Sequence, residues 1–245
     1  MKIVGIIPAR YASVRLPGKP LLLVKGKAMI QRVYEQAKKS KFIDAVIVAT
    51  DDKRIFDCVK NFGGEVVMTS VKHFSGTDRI FEVAKKIKSD IIVNIQGDEP
   101  YIDPYNIDKA IYPFLKDKSL NVSTLAVKIK TLADVLDENK VKVIMDKNNY
   151  ALYFSRNFIP YDMKHNPSQI WSLKCNRYYK HIGLYVYKKD FLMKFPKFKK
   201  SYLEIAEKLE QLRILENGEK IKVVLTTRES FSVDTKSDLD LLNKL

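Results

Sequence analysis

The chain has 245 residues, 46% hydrophobic and 30% charged, which is ample for one large core. Its 44 Lys and Arg against 29 Asp and Glu leave a formal charge of +15, but the lysines are scattered rather than massed. That excess reads as a solvated surface; a nucleic-acid-binding protein, suggested by the charge alone, is the less favoured alternative, and no nucleic-acid partner is expected. No run approaches the roughly 18 apolar residues of a membrane span, so no membrane insertion is expected.

Cys58 and Cys175 make neither a metal spacing nor a disulfide framework. The chain enters a strand at once, which leaves no room for a signal peptide. Together these features predict a cytoplasmic protein.

In chain order, the β-branched run Ile3, Val4, Ile6, Ile7 predicts a strand buried on both faces, ended by Pro8. A loop follows that carries Arg10, Ser13, Arg15, Gly18 and Lys19. Met29, Ile30, Val33, Tyr34 and Ala37 recur at helical spacing and predict a helix over about 28–39. Residues 45–50 (AVIVAT) read as a second buried strand, and Asp51-Asp52 as the start of a helix that Gly63-Gly64 stops. A short strand over 65–68 comes next. A helix capped by Thr77 or Asp78 runs to about Lys88, and a fourth strand covers 91–95. This alternation predicts an α/β fold with a parallel, helix-covered sheet.

The second half is mixed. Residues 122–129 alternate as a strand, and 140–145 and 150–155 as two strands joined at 146–149. A loop over 159–176 precedes a strand over 178–187. Ser201 with Glu204 makes a capping box for a helix to about Glu216, closed by Asn217-Gly218. A strand over 221–225 and a helix over 236–245 complete the chain. The expected organisation is one domain, 1–245, with a β-rich extension around 121–187.

The chemistry gathers after the strands. Three cations on one loop, Arg10, Arg15 and Lys19, repel each other unless an anion sits among them. Ligands of open α/β sheets bind beyond the carboxyl ends of the strands, and Arg forks, a Lys and small residues suit a phosphate chain. Only 9 of the 44 cations are Arg, which makes two in this loop more telling. The loop lacks the GxGxxG turn of a dinucleotide-binding oxidoreductase. Asp98-Glu99 follows the fourth strand in NIQGDEP, and phosphate chains travel with Mg²⁺, which takes one or two carboxylates. Asp98 is therefore a candidate metal ligand, with a turn-capping Asp as the alternative.

The segments IPARYASVRLPGKPL, ATDDKRI, GGEVVMTS, HFSGTDRI, VNIQGDEPYID, VKVIMD, YALYFSRNFIPY, YKHIGLYVYKKDFL, LEQLRILENGEKIKV and SVDTKSDL stand in this order. By them the chain resembles the 3-deoxy-manno-octulosonate cytidylyltransferases, or CMP-Kdo synthetases, from residue 3 to about 240.

The resemblance implies a nucleotide-diphospho-sugar transferase (glycosyltransferase A-like) fold with helices on both faces of a mostly parallel sheet. It implies a homodimer, Mg²⁺, and the reaction CTP + Kdo → CMP-Kdo + diphosphate for lipopolysaccharide synthesis. A related acidic sugar, such as the 8-amino analogue of Kdo, stays open. Pro8, Ala9, Arg10, Ser13, Arg15 and Lys19 are then expected at the nucleotide, Arg10, Arg15 and Lys19 at its triphosphate, with Arg15, Lys19 and Asp98 in catalysis. Ser75, Gly76, Thr77, Asp78 and Arg79 would form a second loop at the nucleotide, and Gln96 would read cytosine or ribose. Asp98 and Asp234 would hold Mg²⁺, although Asp234 is also placed to cap the last helix. For the acidic sugar the family pattern nominates Arg156, His181, Tyr185, Glu210 and Gln211.

Overall fold

A computed structural model describes residues 1–12, 16–73, 75–161, 178–229 and 231–244. Its frame is one sheet. The strands are β1 (Ile3–Ala9), β4 (Ala45–Thr50), β5 (Glu65–Met68), β6 (Ile91–Asn94), β7 (Val122–Lys128), β10 (Tyr179–Lys188) and β11 (Ile221–Thr226), in the order β11-β7-β10-β6-β1-β4-β5. β1 pairs in parallel with β4 and β6, β4 with β5, and β7 with β11. Only β10 runs against its neighbours, β6 and β7. A hairpin of β8 (Lys142–Met145) and β9 (Ala151–Ser155) leaves this path and joins β10 through β8. A short ribbon of β2 (Leu23–Val24) and β3 (Lys27–Ala28) stands apart.

β1 explains why the sheet is covered on both faces. Ile3, Ile7 and Ala9 enter one core, together with Ile30 and Val33 of α1 (Met29–Ala37), Ile55 and Val59 of α2 (Lys53–Asn61), and Ile107 and Ile111 of α4 (Pro104–Lys116). Val4 and Ile6 enter a second core, with Ile80 and Val83 of α3 (Gly76–Lys86). A strand with apolar side chains on both faces must lie at the centre of such a sandwich. That places the end of β1, and the basic loop beyond it, in the middle of the carboxyl edge.

The predicted strands and early helices lie where the pattern put them, with shifts of a few residues at their ends. Several details differ, three of them near the site or over a long stretch of chain. The cap of α3 is Ser75, whose side chain accepts from Asp78 N while Asp78 Oδ2 accepts from Ser75 N. Neither Thr77 nor Asp78 is the cap. The helix expected over 201–216 is broken into two, α7 (Tyr202–Glu207) and α8 (Leu212–Glu216), after α5 (Leu132–Leu136) and α6 (Lys189–Leu192). Lys208 adopts a left-handed φ of 53° there and donates its N–H to Glu204 O, which ends the helix. Finally, α4 fills a stretch left unassigned, with Pro113 inside it.

The last helix, α9 (Lys236–Lys244), is opened by Thr235. Thr235 Oγ1 accepts from Asp238 N, and Asp238 Oδ2 accepts from the amides of both Asp234 and Thr235. The capping function is therefore served without the Asp234 carboxylate.

Candidate active site

Two cavities open side by side at the carboxyl edge of the sheet. The larger, about 400 Å³, is bounded by Arg10 and Lys19 on one side and by Ser75, Gly76 and Arg79 on the other. Asp98 and Asp234 close one end. The first turn of α3 faces it, so helix N–H groups and the positive end of the dipole point at any anion inside.

The walls of this cavity are pinned locally. Gly18, at φ 69°, donates its N–H to Tyr11 O, and a Cβ on it would meet the Tyr11 ring at 3.1 Å. Arg54 lies over that ring, 3.3 Å from its centre, and is held by two bonds to the Asp52 carboxylate. The QGDEP loop passes so close to β1 that a Cβ on Gly97 would sit 2.8 Å from Pro8 O. Only glycine fits that crossing.

Lys19 Nζ donates to Asp98 Oδ2 at 2.8 Å and to Asp234 Oδ1 at 3.1 Å. Two carboxylates 136 positions apart thus share one cation. Among the described residues no three His, Cys, Asp or Glu side chains cluster to hold a metal ion. A pair of carboxylates suits Mg²⁺, whose octahedral shell is completed by water and phosphate oxygens rather than by an all-protein cage.

The second cavity, about 270 Å³, shares Pro8, Gly76 and Gln96 with the first. Its floor is β6 and β10: Asn94 is paired with Tyr185, and His181 lies four residues earlier on β10. A bulge between Ile182 and Tyr185 shifts the register of β10 against β7. Gln96 Nε2 donates to Gly183 O in that bulge at 2.9 Å, so the side chain forms a partition between the two spaces. Glu210 and Gln211 come from the break between α7 and α8. Thr77 Oγ1 donates to Glu210 Oε2. Burial raises the Glu210 pKa, opposed by the Thr77 and Ser75 hydroxyls. Burial lowers His181 to about 3.

The structure therefore gathers Pro8, Ala9, Arg10, Lys19, Ser75, Gly76, Arg79, Gln96, Asp98 and Asp234 around one space. It gathers His181, Tyr185, Glu210 and Gln211 around the next. Ser13, Arg15 and Cys175 lie outside the described residues. Arg79 is 3% exposed, with its guanidinium engaged by Asp51 at 2.7 Å and by Thr69, so it braces the wall. Arg156 lines neither cavity. Its Nε donates to Glu207 O at 2.8 Å and its Nη1 to Glu138 O at 3.2 Å.

His73 and Asn94 are among the lining residues that escaped the sequence reading. His73 borders the larger cavity, with its Nε2 2.7 Å from Glu82 Oε2. Asn94 ends β6 two positions before Gln96, and that nearness to a named site residue was the available signal.

Cations and an aspartate pair around one cavity at the carboxyl edge of a mostly parallel sheet, opening into a second polar space, are the equipment of a nucleotidyltransferase. The Cytidylyltransferase family model matches residues 4–221. The 3-deoxy-manno-octulosonate cytidylyltransferase of Geotalea daltonii is 53% identical, over 98% of this chain and 96% of its own. The enzyme of the same name from Fusobacterium nucleatum subsp. nucleatum is 49% identical, over 98% and 95%. A solved CMP:2-keto-3-deoxy-manno-octonic acid synthetase, complexed with CTP, superposes with a TM-score of 0.92 at 41% identity, covering 100% of this chain and 98% of that one. A cytidylyltransferase from Leptospira borgpetersenii, at 20% identity and a TM-score of 0.65, covering 99% of this chain and 85% of its own, shares the fold. The chain belongs to the 3-deoxy-manno-octulosonate cytidylyltransferases.

Proposed function

We propose that the chain activates the eight-carbon acidic sugar 3-deoxy-D-manno-octulosonate, transferring the cytidylyl group of CTP to it with release of diphosphate. The observation that carries this reading is the shared wall of Pro8, Gly76 and Gln96 between the cavity of cations and aspartates and the cavity of hydrogen-bonding groups. A nucleotide in the first and a polyol in the second would meet across that wall.

In this reading Arg10, Arg15 and Lys19 hold the triphosphate and take up charge on the departing diphosphate, helped by Ser13, the Pro8-Ala9 strand end and the Ser75-Gly76 helix start. Gln96, with its amide N–H engaged, offers its oxygen toward the nucleoside. His181, Tyr185, Glu210 and Gln211 orient the sugar. Arg156, tied to Glu207 O and lining neither cavity, is assigned to the sugar only through the family resemblance. The reaction is one in-line displacement by the anomeric hydroxyl on the α-phosphorus, driven by positioning and fixed charge. No covalent nucleophile is required: Cys58 is partly buried against the apolar core, and burial raises its pKa.

Asp98 and Asp234 would hold Mg²⁺. The donor chemistry fits, since Lys19 already marks a point where both carboxylates meet one cation. When bound, Mg²⁺ would neutralise phosphate charge and lower the pKa of an adjacent hydroxyl.

The reading includes a homodimer formed through the β-rich segment around 121–187. Leu152, 60% exposed on β9, offers apolar surface there. It also includes a cytoplasmic setting. No described helix is long and apolar enough to cross a membrane.

Diphosphate release over a panel of nucleotides and acidic sugars tests the assignment. Strong turnover is expected only with CTP and this sugar or its 8-amino analogue. Turnover with another nucleotide, or with none, would refute it.

A further inference from the structure

Thr124, on β7, is fully buried, and its hydroxyl meets three partners. Oγ1 lies 2.8 Å from Leu184 O, 3.1 Å from Ile182 O and 2.9 Å from His181 Nε2. The two carbonyls belong to the β10 bulge, where the ladder with β7 is out of register.

A hydroxyl carries one proton, and a carbonyl oxygen only accepts. The proton of Thr124 is therefore committed to the bulge, and the third contact needs its hydrogen from the imidazole. That fixes His181 as the Nε2–H tautomer and leaves Nδ1 with a bare lone pair.

The surroundings keep the ring uncharged. Phe154 of β9 meets it edge-on, 5.0 Å between ring centres, and the Tyr185 ring lies 5.3 Å away. Among the described residues no charged group pairs with His181. Glu210 lines the same cavity, but its Oε2 is engaged by Thr77.

We propose that Thr124 is a positioning residue that locks His181 as a permanent hydrogen-bond acceptor, so that this point of the cavity selects a donor on the sugar. A hydroxyl or an ammonium satisfies Nδ1 equally. The sugar carboxylate does not, and it must be turned away from β10. The proposal rests on the second cavity being the sugar site, and it makes sugar binding at this point insensitive to pH.

The test combines a spectrum with kinetics. In ¹⁵N-histidine NMR of the whole enzyme, the His181 signals, assigned by their loss in His181→Gln, should show a pyrrole-type Nε2 and a pyridine-type Nδ1. They should stay so from neutral pH down to roughly pH 5, where an ordinary histidine is protonated. Thr124→Val, nearly isosteric, should raise KM for the sugar acid by about tenfold and leave KM for CTP within about twofold. Thr124→Ser should restore the wild-type value. A pyrrole-type Nδ1, protonation at neutral pH, or an unchanged sugar KM in a folded Thr124→Val variant would overturn the proposal. If the unaltered chain fails to turn over any acidic sugar with CTP, the sugar-site reading falls, and the donor selectivity with it. The spectrum decides the tautomer in either case.

Discussion

The backbone N–H of Val233 donates to the carbonyl oxygen of Asp98 at 2.9 Å. This one bond carries the SVDT segment back onto the QGDEP loop. Val233 is fully buried in a small cluster with Val24, Met29 and Leu242, which anchors the contact from below. The next residue, Asp234, is thereby delivered to Lys19 and Asp98 without serving as a helix cap.

Asp98→Asn and Asp234→Asn should each lower turnover by at least ~10²-fold, and the double variant should be scarcely worse than either single one, because the two act as a unit. Folding should survive both changes, since Thr235 and Asp238 open α9. Calorimetry and steady-state rates check this. Additive losses would mean that the carboxylates serve different purposes.

Lys19→Met tests the same corner from the side of the cation. Loss of the ammonium leaves the Asp98 and Asp234 carboxylates without the cation they share. Mg²⁺ added without nucleotide should then raise the melting temperature of the variant more than that of the parent, by mass action. Turnover should fall on the order of 10²-fold, since the proposed contact of the lysine with the triphosphate is lost. Equal Mg²⁺ shifts in the two proteins would contradict the arrangement.

Glu210 makes a prediction about stability. Burial raises its folded pKa above the ordinary value of 4.5, so ionising it opposes folding. That penalty is absent below the unfolded pKa and grows as the pH rises through the folded one. Glu210→Gln, which still accepts from Thr77, should therefore melt higher than the parent at neutral pH. The advantage should vanish in scans below pH 4.5. Sugar KM should rise over the same change. A variant that melts lower than the parent at neutral pH would show that the buried carboxylate is held by charge rather than strained by burial.

The frame of this site was legible because its signals are local. The Ile3–Ile7 run fixed the central strand, and the alternation through residue 95 set the parallel half of the sheet. The meeting of Asp98 with Asp234 was foreseen only through the family likeness, since nothing within either segment implies the other. Other features depend on contacts that no window of sequence contains. The break at Lys208 interrupts a run with good helical composition, and it is this break that brings Glu210 and Gln211 to the cavity instead of leaving them on a solvated face. Arg79 was expected at the nucleotide beside Ser75 and Gly76 through the family likeness, and it does line that cavity. Its engagement by Asp51 and Thr69 depends on β4 and β5 lying alongside. Thr124 is one hydroxyl in an apolar strand, and only the β10 bulge gives it a purpose.

The proposed central step is attack by the anomeric hydroxyl of the sugar on the α-phosphorus across the Pro8-Gly76-Gln96 wall. Isotope tracing measures this directly. The enzyme is supplied with CTP and sugar acid carrying ¹⁸O in the anomeric hydroxyl, and the ³¹P spectrum of the nucleotide-sugar product is recorded. The predicted result is ¹⁸O retained in the bridge between sugar and CMP phosphorus, with none in the diphosphate. Label in the diphosphate, or loss of label from the bridge, would contradict the account.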